Sequence, residues 1–253
     1  MLASLGVGIL AGALSGLFGV GGGILIVPGL VFFLQMGQRL AHATSLAAII
    51  PIAGSAVAGY ALEGSIDWPA AAWLAGGAAV GAVVGARLLQ RMSERALRRT
   101  FAGFLLLSAL ALLLHISDGT GRGELGPALA VGLVVAGMIS GVLAGLLGVG
   151  GGIVIVPALI LLFSLPNAVA KGTSLVVILP TAVAGTLQNV RKQAADLVTA
   201  GWVGLGGVVA AFVASLVSVR LDPRVSSVLF AVLLVAVAVR LLTRRQNVRS
   251  ALP

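Results

Sequence analysis

The chain has 253 residues, of which 59% are hydrophobic and 9% charged, with a mean hydropathy of +1.16. A soluble domain carries about 25% charged residues, so this composition excludes an ordinary globular protein and indicates a polytopic membrane protein. The absence of Cys excludes disulfides, thiolate metal sites and Cys nucleophiles. The formal charge of +9 comes mainly from arginines between apolar segments and at the C-terminus, a membrane-topology pattern and not a nucleic-acid patch.

In chain order, the first apolar stretch runs from Leu2 to Gln35 and is broken by a glycine run at Gly19–Gly23. It lacks the basic leader of a signal peptide and is read as retained. Leu40–Leu62, Pro69–Gln90 and Leu97–Ile116 follow. A polar link at 117–126 precedes Pro127–Leu165, broken at Gly148–Gly152, and then Ala168–Val190, Leu197–Val219 and Val225–Leu242. The organisation expected is a first transmembrane repeat at 1–116, a second at 127–242, and a basic cytoplasmic tail at 243–253.

The repeat is visible in the sequence. Gly19-Val20-Gly21-Gly22-Gly23-Ile24-Leu25-Ile26-Val27-Pro28 returns as Gly148-Val149-Gly150-Gly151-Gly152-Ile153-Val154-Ile155-Val156-Pro157. At the same offset Thr44-Ser45-Leu46 matches Thr173-Ser174-Leu175, Pro51 matches Pro180, and Asp67 matches Asp196. Trp73 matches Trp202, and Phe101 matches Phe230. Duplicated halves are a common plan of secondary transporters, with the site at their interface.

Charge decides how the halves are oriented. If each glycine-broken stretch crosses once, the halves are parallel and Lys and Arg show no sidedness. If each is a helical hairpin with the glycines at its tip, the halves are inverted. Arg39, Arg87, Arg91, Arg95, Arg98, Arg99, Arg191, Lys192, Arg240, Arg244, Arg245 and Arg249 then share one side. Only Arg122, Lys171, Arg220 and Arg224 lie opposite. The positive-inside rule selects the hairpin and puts both termini in the cytoplasm. Length agrees, because a continuous helix over 2–35 would be about 50 Å long against a core of about 30 Å. The expected fold is therefore all-α and integral to the inner (plasma) membrane. It has two inverted repeats, each a Gly-broken helical hairpin plus three transmembrane helices, about eight hydrophobic segments in all. A full double crossing by each broken stretch has the same parity and stays open.

Two copies of G-x-G-G-G-x-x-x-V-P, each followed by a T-S-L segment in a duplicated chain, resemble the TauE/SafE family of sulfite-exporter-like permeases. The resemblance covers nearly the whole chain. It implies a secondary carrier that moves small anions such as sulfite or sulfonates, commonly outward and without ATP.

The candidate substrate residues are Gly19, Gly21, Gly22 and Gly23 with Gly148, Gly150, Gly151 and Gly152. A run of glycines inside an apolar stretch breaks a helix or lets a ligand approach the backbone. Helices beginning at Ile24 and Ile153 would aim free N–H groups at an oxyanion. The alternative is that glycine only permits close helix packing, which is the reading for Gly76, Gly77, Gly81 and Gly85. Thr44, Ser45, Thr173 and Ser174 offer hydroxyl donors, or bond to their own or neighbouring helices. His42 and Lys171 precede those pairs and are candidates for charge or coupling, with Lys171 expected to snorkel at the interface. Gln188 is placed on the path. Asp67 and Asp196 are read as helix caps.

Neither H-E-x-x-H nor a Walker A motif occurs, and Gly12-Ala13-Leu14-Ser15-Gly16 lacks the nucleophile-elbow spacing, so no enzyme is expected. No cofactor and no metal ligand set are expected. The partners expected are a small anionic substrate and the lipid bilayer, with a homodimer as the candidate assembly. The competing functions are a membrane subunit that needs a soluble partner, and uptake of another small anion or a metal ion.

Overall fold

The computed structural model of the chain describes residues 1–89, 94–114, 121, 123, 126–147, 151–191 and 195–243. Ten helices make up the described fold. The first half holds α1 (Leu2–Phe18), α2 (Gly23–Phe33), α3 (Gln38–Leu62), α4 (Trp68–Leu89) and α5 (Glu94–Leu114). The second holds α6 (Pro127–Leu147), α7 (Gly152–Phe163), α8 (Asn167–Arg191), α9 (Leu197–Arg220) and α10 (Pro223–Thr243). The two glycine-broken stretches each become a long and a short helix, so eight hydrophobic segments yield ten helices.

The first pair is a hairpin. Gly19 ends α1 in the left-handed conformation, donating its N–H to Ser15 O. Past the turn, the Cβ position of Gly22 stands 2.9 Å from Ala11 O and that of Gly29 stands 2.7 Å from Val7 Cγ1. As the chain number rises along α2, its partners on α1 fall, so α2 runs back antiparallel. In the second pair Gly132, near the start of α6, faces the Phe163 ring at the end of α7. That is again an antiparallel return.

Neither half packs chiefly on itself. Gly8, Gly12 and Gly16 of α1 lie against the α9 backbone at Val203, Gly207 and Ala211, so these helices run parallel at backbone contact. Gly77 and Gly81 of α4 meet Val134 and Met138 of α6, while Gly137 and Gly141 meet Leu74 and Ala78. The packing role expected of Gly77 and Gly81 is thus met in the α4–α6 seam, whereas Gly76 faces open space. Small residues bring backbones together in this way where lipid supplies no hydrophobic drive between helices. At the centre α3 and α8 cross in opposite directions. Gly172 meets Tyr60 and Ser65, Gly54 faces Leu179, and Gly185 meets Leu46. These two helices are counterparts in the sequence repeat.

The outer surface is apolar. Along α9, Gly204, Gly207, Ala211, Ala214 and Ser218 are buried, while Leu205, Val209, Val213 and Val217 face outward. Small and polar residues inside with branched apolar ones outside suits a bundle solvated by lipid tails. Among the described residues, Leu40–Leu62, Asn167–Leu187, Leu197–Arg220 and Pro223–Arg240 are long and apolar enough to cross a membrane.

Candidate functional site

At the centre of the molecule the start of α7 meets the first glycine turn. Gly22 and Gly151 hold φ of 75° and 77° immediately before α2 and α7. An L-residue there would be strained, which is why both copies of the motif carry glycine. The helices begin at Gly23 and Gly152, one residue earlier than the sequence suggested. The Cβ position of Gly152 lies 2.8 Å from Gly19 O and 2.7 Å from Val20 Cα, so the start of α7 rests on the first turn. Ile49 and Ile178, repeat counterparts in mid-α3 and mid-α8, both flank Gly21.

Both short helices start without a side-chain cap. The amides of Leu25 and Ile26 close onto Gly22 O, and those of Val154 and Ile155 onto Gly151 O. The preceding N–H groups of Gly23, Ile24, Gly152 and Ile153 have no hydrogen-bond partner among the described residues. Gly23, Gly152 and Ile153 are buried. Orphan amides at a buried helix start carry partial positive charge of roughly +0.5 per helix. Buried backbone donors are rarely left unpaired.

The Thr-Ser pairs divide. Ser174 donates to Gly19 O at 3.0 Å, tying α8 to the first turn. Ser45 donates to His42 O at 2.9 Å within its own helix. Thr173 Oγ1 accepts the backbone N–H of Asp67 at 3.0 Å, and Thr44 Oγ1 accepts that of Asp196 at 3.0 Å. The two threonines stand near opposite ends of the α3–α8 crossing, each holding the start of a helix from the other half. Asp67 and Asp196 are the helix caps the sequence indicated. Asp67 Oδ1 accepts from Ala70 N and Asp196 Oδ1 from Thr199 N, both at 3.0 Å. Thr199 Oγ1 adds a further bond to Asp196 at 2.6 Å. Gly148, Gly150 and the Gln188 side chain lie outside the described residues.

Lys171 requires a correction. It does not snorkel: at 1% exposure it is fully buried, and its backbone and Cβ pack against Gly19. Its Nζ donates to Ser218 Oγ at 2.9 Å and to Ser226 Oγ. Ser218 in turn donates to Leu17 O at 2.9 Å, and Tyr60 donates to Gly16 O at 2.6 Å. This polar cluster surrounds the C-terminal end of α1, where exposed carbonyls favour a cation. No carboxylate lies within salt-bridge distance of Lys171 among the described residues. Its repeat counterpart His42 is half-buried. In the first half the sequence positions matching Ser218 and Ser226 are Leu89 and Leu97, which carry no hydroxyl. Tyr60, Ser218 and Ser226 escaped the sequence reading because none lies in a duplicated motif.

Known proteins resemble this chain. The family model described as "Sulfite exporter TauE/SafE" matches residues 1–122 and 133–252. The chain is 29% identical over 227 residues to YunE of Bacillus subtilis, covering 78% of this chain and 83% of that protein. It is 26% identical over 251 residues to a protein of Xylella fastidiosa strain 9a5c, covering 96% and 95%. A Haemophilus influenzae protein is 33% identical over 162 residues, 60% of each chain. All three carry the name "Probable membrane transporter protein".

Proposed function

The chain belongs to the TauE/SafE family of membrane transporters, and from that membership and the meeting of α7 with the first glycine turn we propose a secondary carrier of small sulfur oxyanions. Sulfite and organosulfonates are its substrate class, and export by alternating access is its mode. The observation that carries this reading is the pair of buried, uncapped helix starts at Gly23 and Gly152, the second of which rests on Gly19 and Val20 of the first turn. An oxyanion seated there accepts the orphan amides and meets two positive helix ends at once. Carbonyl-rich sites suited to metal cations present the opposite polarity. Among the described residues no group of three His, Asp or Glu side chains stands together.

The two halves act as inverted repeats that rock about the turns, opening the cradle first to one side and then to the other. The antiparallel course of α3 against α8 supports the inversion. The charge count supports cytoplasmic termini in the inner membrane. Lys171 places a buried amine beside the first turn. The test is thermal stabilisation of purified protein by sulfite, thiosulfate, sulfoacetate, taurine and a panel of divalent metals. Stabilisation by sulfur oxyanions is expected, and stabilisation by metals alone overturns the proposal. For topology, a Cys at Arg224 should label in intact cells with an impermeant reagent, and Cys at Arg95 or Gln246 should not. Equal labelling at Arg95 and Arg224 overturns the inversion.

A further inference from the structure

Secondary carriers often hold their coupling cation at the C-terminal end of a broken helix, where carbonyls lack intrahelical partners. The end of α1 is such a place, and its oxygens are already engaged by the protein. Ser15 O accepts the Gly19 N–H, and Gly16 O accepts the Tyr60 hydroxyl. Leu17 O accepts the Ser218 hydroxyl, and Gly19 O accepts the Ser174 hydroxyl. The cation that reaches this end belongs to the chain itself. Lys171 Nζ donates to Ser218, the same hydroxyl that donates to Leu17 O, and to Ser226.

The surroundings of this amine suit a group that gains and loses a proton. Both hydrogen-bond acceptors are neutral hydroxyls. No carboxylate stands within salt-bridge distance among the described residues, so a charge held there is uncompensated and costly. The titratable groups on the elements packed around it are engaged elsewhere or exposed. Tyr60 on α3 donates to Gly16 O. Glu63, at the end of α3, pairs with Arg220, at the end of α9, at 3.5 Å. Asp67 caps α4 through Ala70 N, and Asp222 caps α10 through the amides of Arg224 and Val225. Arg224 is exposed, and α1 and α7 have no titratable side chain. The counter-charge has to arrive with the substrate.

We infer that Lys171 is the coupling-ion site of the carrier, that the ion is a proton, and that it moves with the anion. This deepens the carrier reading above and rests on it. The neutral amine takes a proton from water on the side where the anion enters, forming an N–H bond and an ammonium. It returns that proton to water on the side where the anion leaves. The outward gradient of the anion drives both. Sodium is not required, because the side chain supplies the cation at the end of α1. The site is not duplicated, since the matching positions in the first half are His42, Leu89 and Leu97.

The test follows sulfoacetate uptake and lumenal pH together in proteoliposomes. Sulfoacetate is the probe because its acid groups stay ionised above about pH 6, so it brings no proton of its own; thiosulfate is run in parallel. The wild-type protein should acidify the lumen, a proton entering with each anion, and replacing sodium by choline should change nothing. Lys171→Arg keeps a cation that does not shed its proton, and Lys171→Met has none. In both, the ratio of protons to anions should fall to background. Anion-induced thermal shift gives a second readout: affinity should weaken as pH rises in wild type and stay level in Lys171→Arg. Wild-type uptake without acidification, or with a requirement for sodium, overturns the proposal and leaves the carrier reading intact. An unchanged proton ratio or an unchanged pH dependence in the variants overturns the role of Lys171. Neither uptake of nor stabilisation by any sulfur oxyanion in the wild-type protein overturns the carrier reading, and this assignment with it.

Discussion

The ends of the central crossing are held by two different devices. One is reciprocal: Thr44 receives Asp196 and Thr173 receives Asp67, each at 3.0 Å. The other belongs to the second half. Lys171 reaches Ser218 and Ser226, whereas the first half has His42 for the lysine and Leu89 and Leu97 for the two serines. A contact present in both halves serves what both halves need, the docking of a helix start from one half on the centre of the other. A contact present in one half serves a task that the halves do not share. The Thr–Asp bonds belong to the architecture common to both halves, and the lysine cluster to the second half alone.

The comparison breaks most visibly at Lys171. Replacing a buried charge with an apolar residue of similar volume is often neutral or stabilising, so Lys171→Met should fold with a thermal midpoint close to wild type. Its loss should fall on transport. A unit charge even about 8 Å away, at an effective dielectric of about 20, contributes about 2 kcal/mol to an anion's binding. Sulfite uptake should therefore drop by at least about tenfold. A variant with full uptake would make Lys171 a structural clamp.

The threonines should show the converse pattern, with a smaller effect. Thr44→Val and Thr173→Val each leave a backbone N–H without its acceptor, at a cost of about 1–3 kcal/mol. Midpoints should fall by several degrees in both, while sulfite binding by the folded protein stays at the wild-type level. The pair should fall by matching amounts, measured side by side in detergent. Unequal losses would show that the two ends are not equivalent after all.

Much of this fold could be read from the sequence. Glycine breaks, helix ends and the Asp67 and Asp196 caps are local, and local chemistry leaves a local signature. The seams could not be read. Helices bathed in lipid are apolar all round, so hydrophobic periodicity does not separate Gly8, Gly12 and Gly16, which touch α9, from Gly6, which faces open space. Lys171 misled for a related reason. Near the start of a helix, a lysine is normally within reach of water, and only the fold puts Ser218 and Ser226 around it. The acceptor role of Thr44 and Thr173 depends on partners 152 and 106 residues away, and nothing in T-S-L announces them.

The smallest effect expected lies at the caps. Hydrogen bonds from the Thr199 hydroxyl, then from its N–H, hold the Asp196 carboxyl below its ordinary value of 3.8. A carboxyl depressed on folding stabilises above its unfolded value, and the contribution is lost as pH falls through the folded value. Asp196→Asn keeps a competent cap, so only the charge is tested. The variant should trail wild type by a degree or two near about pH 7 and converge with it once acid has protonated the wild-type carboxyl. A gap that persists in acid would assign the loss to geometry.

The seams also set a schedule for synthesis. Leu17 and Ser218, joined at the far end of the α1–α9 seam, are 201 residues apart. At about 5–20 residues per second, α1 enters the bilayer on the order of ten seconds or more before α9 exists. Through that interval its glycine face is covered by lipid alone. The N-terminal helix must be hydrophobic enough to wait unaccompanied, and small enough on one side to be claimed when its partner arrives. A ribosome stalled before α9 would leave the first half inserted and unassembled, open to membrane proteases along the face that Val203, Gly207 and Ala211 later cover.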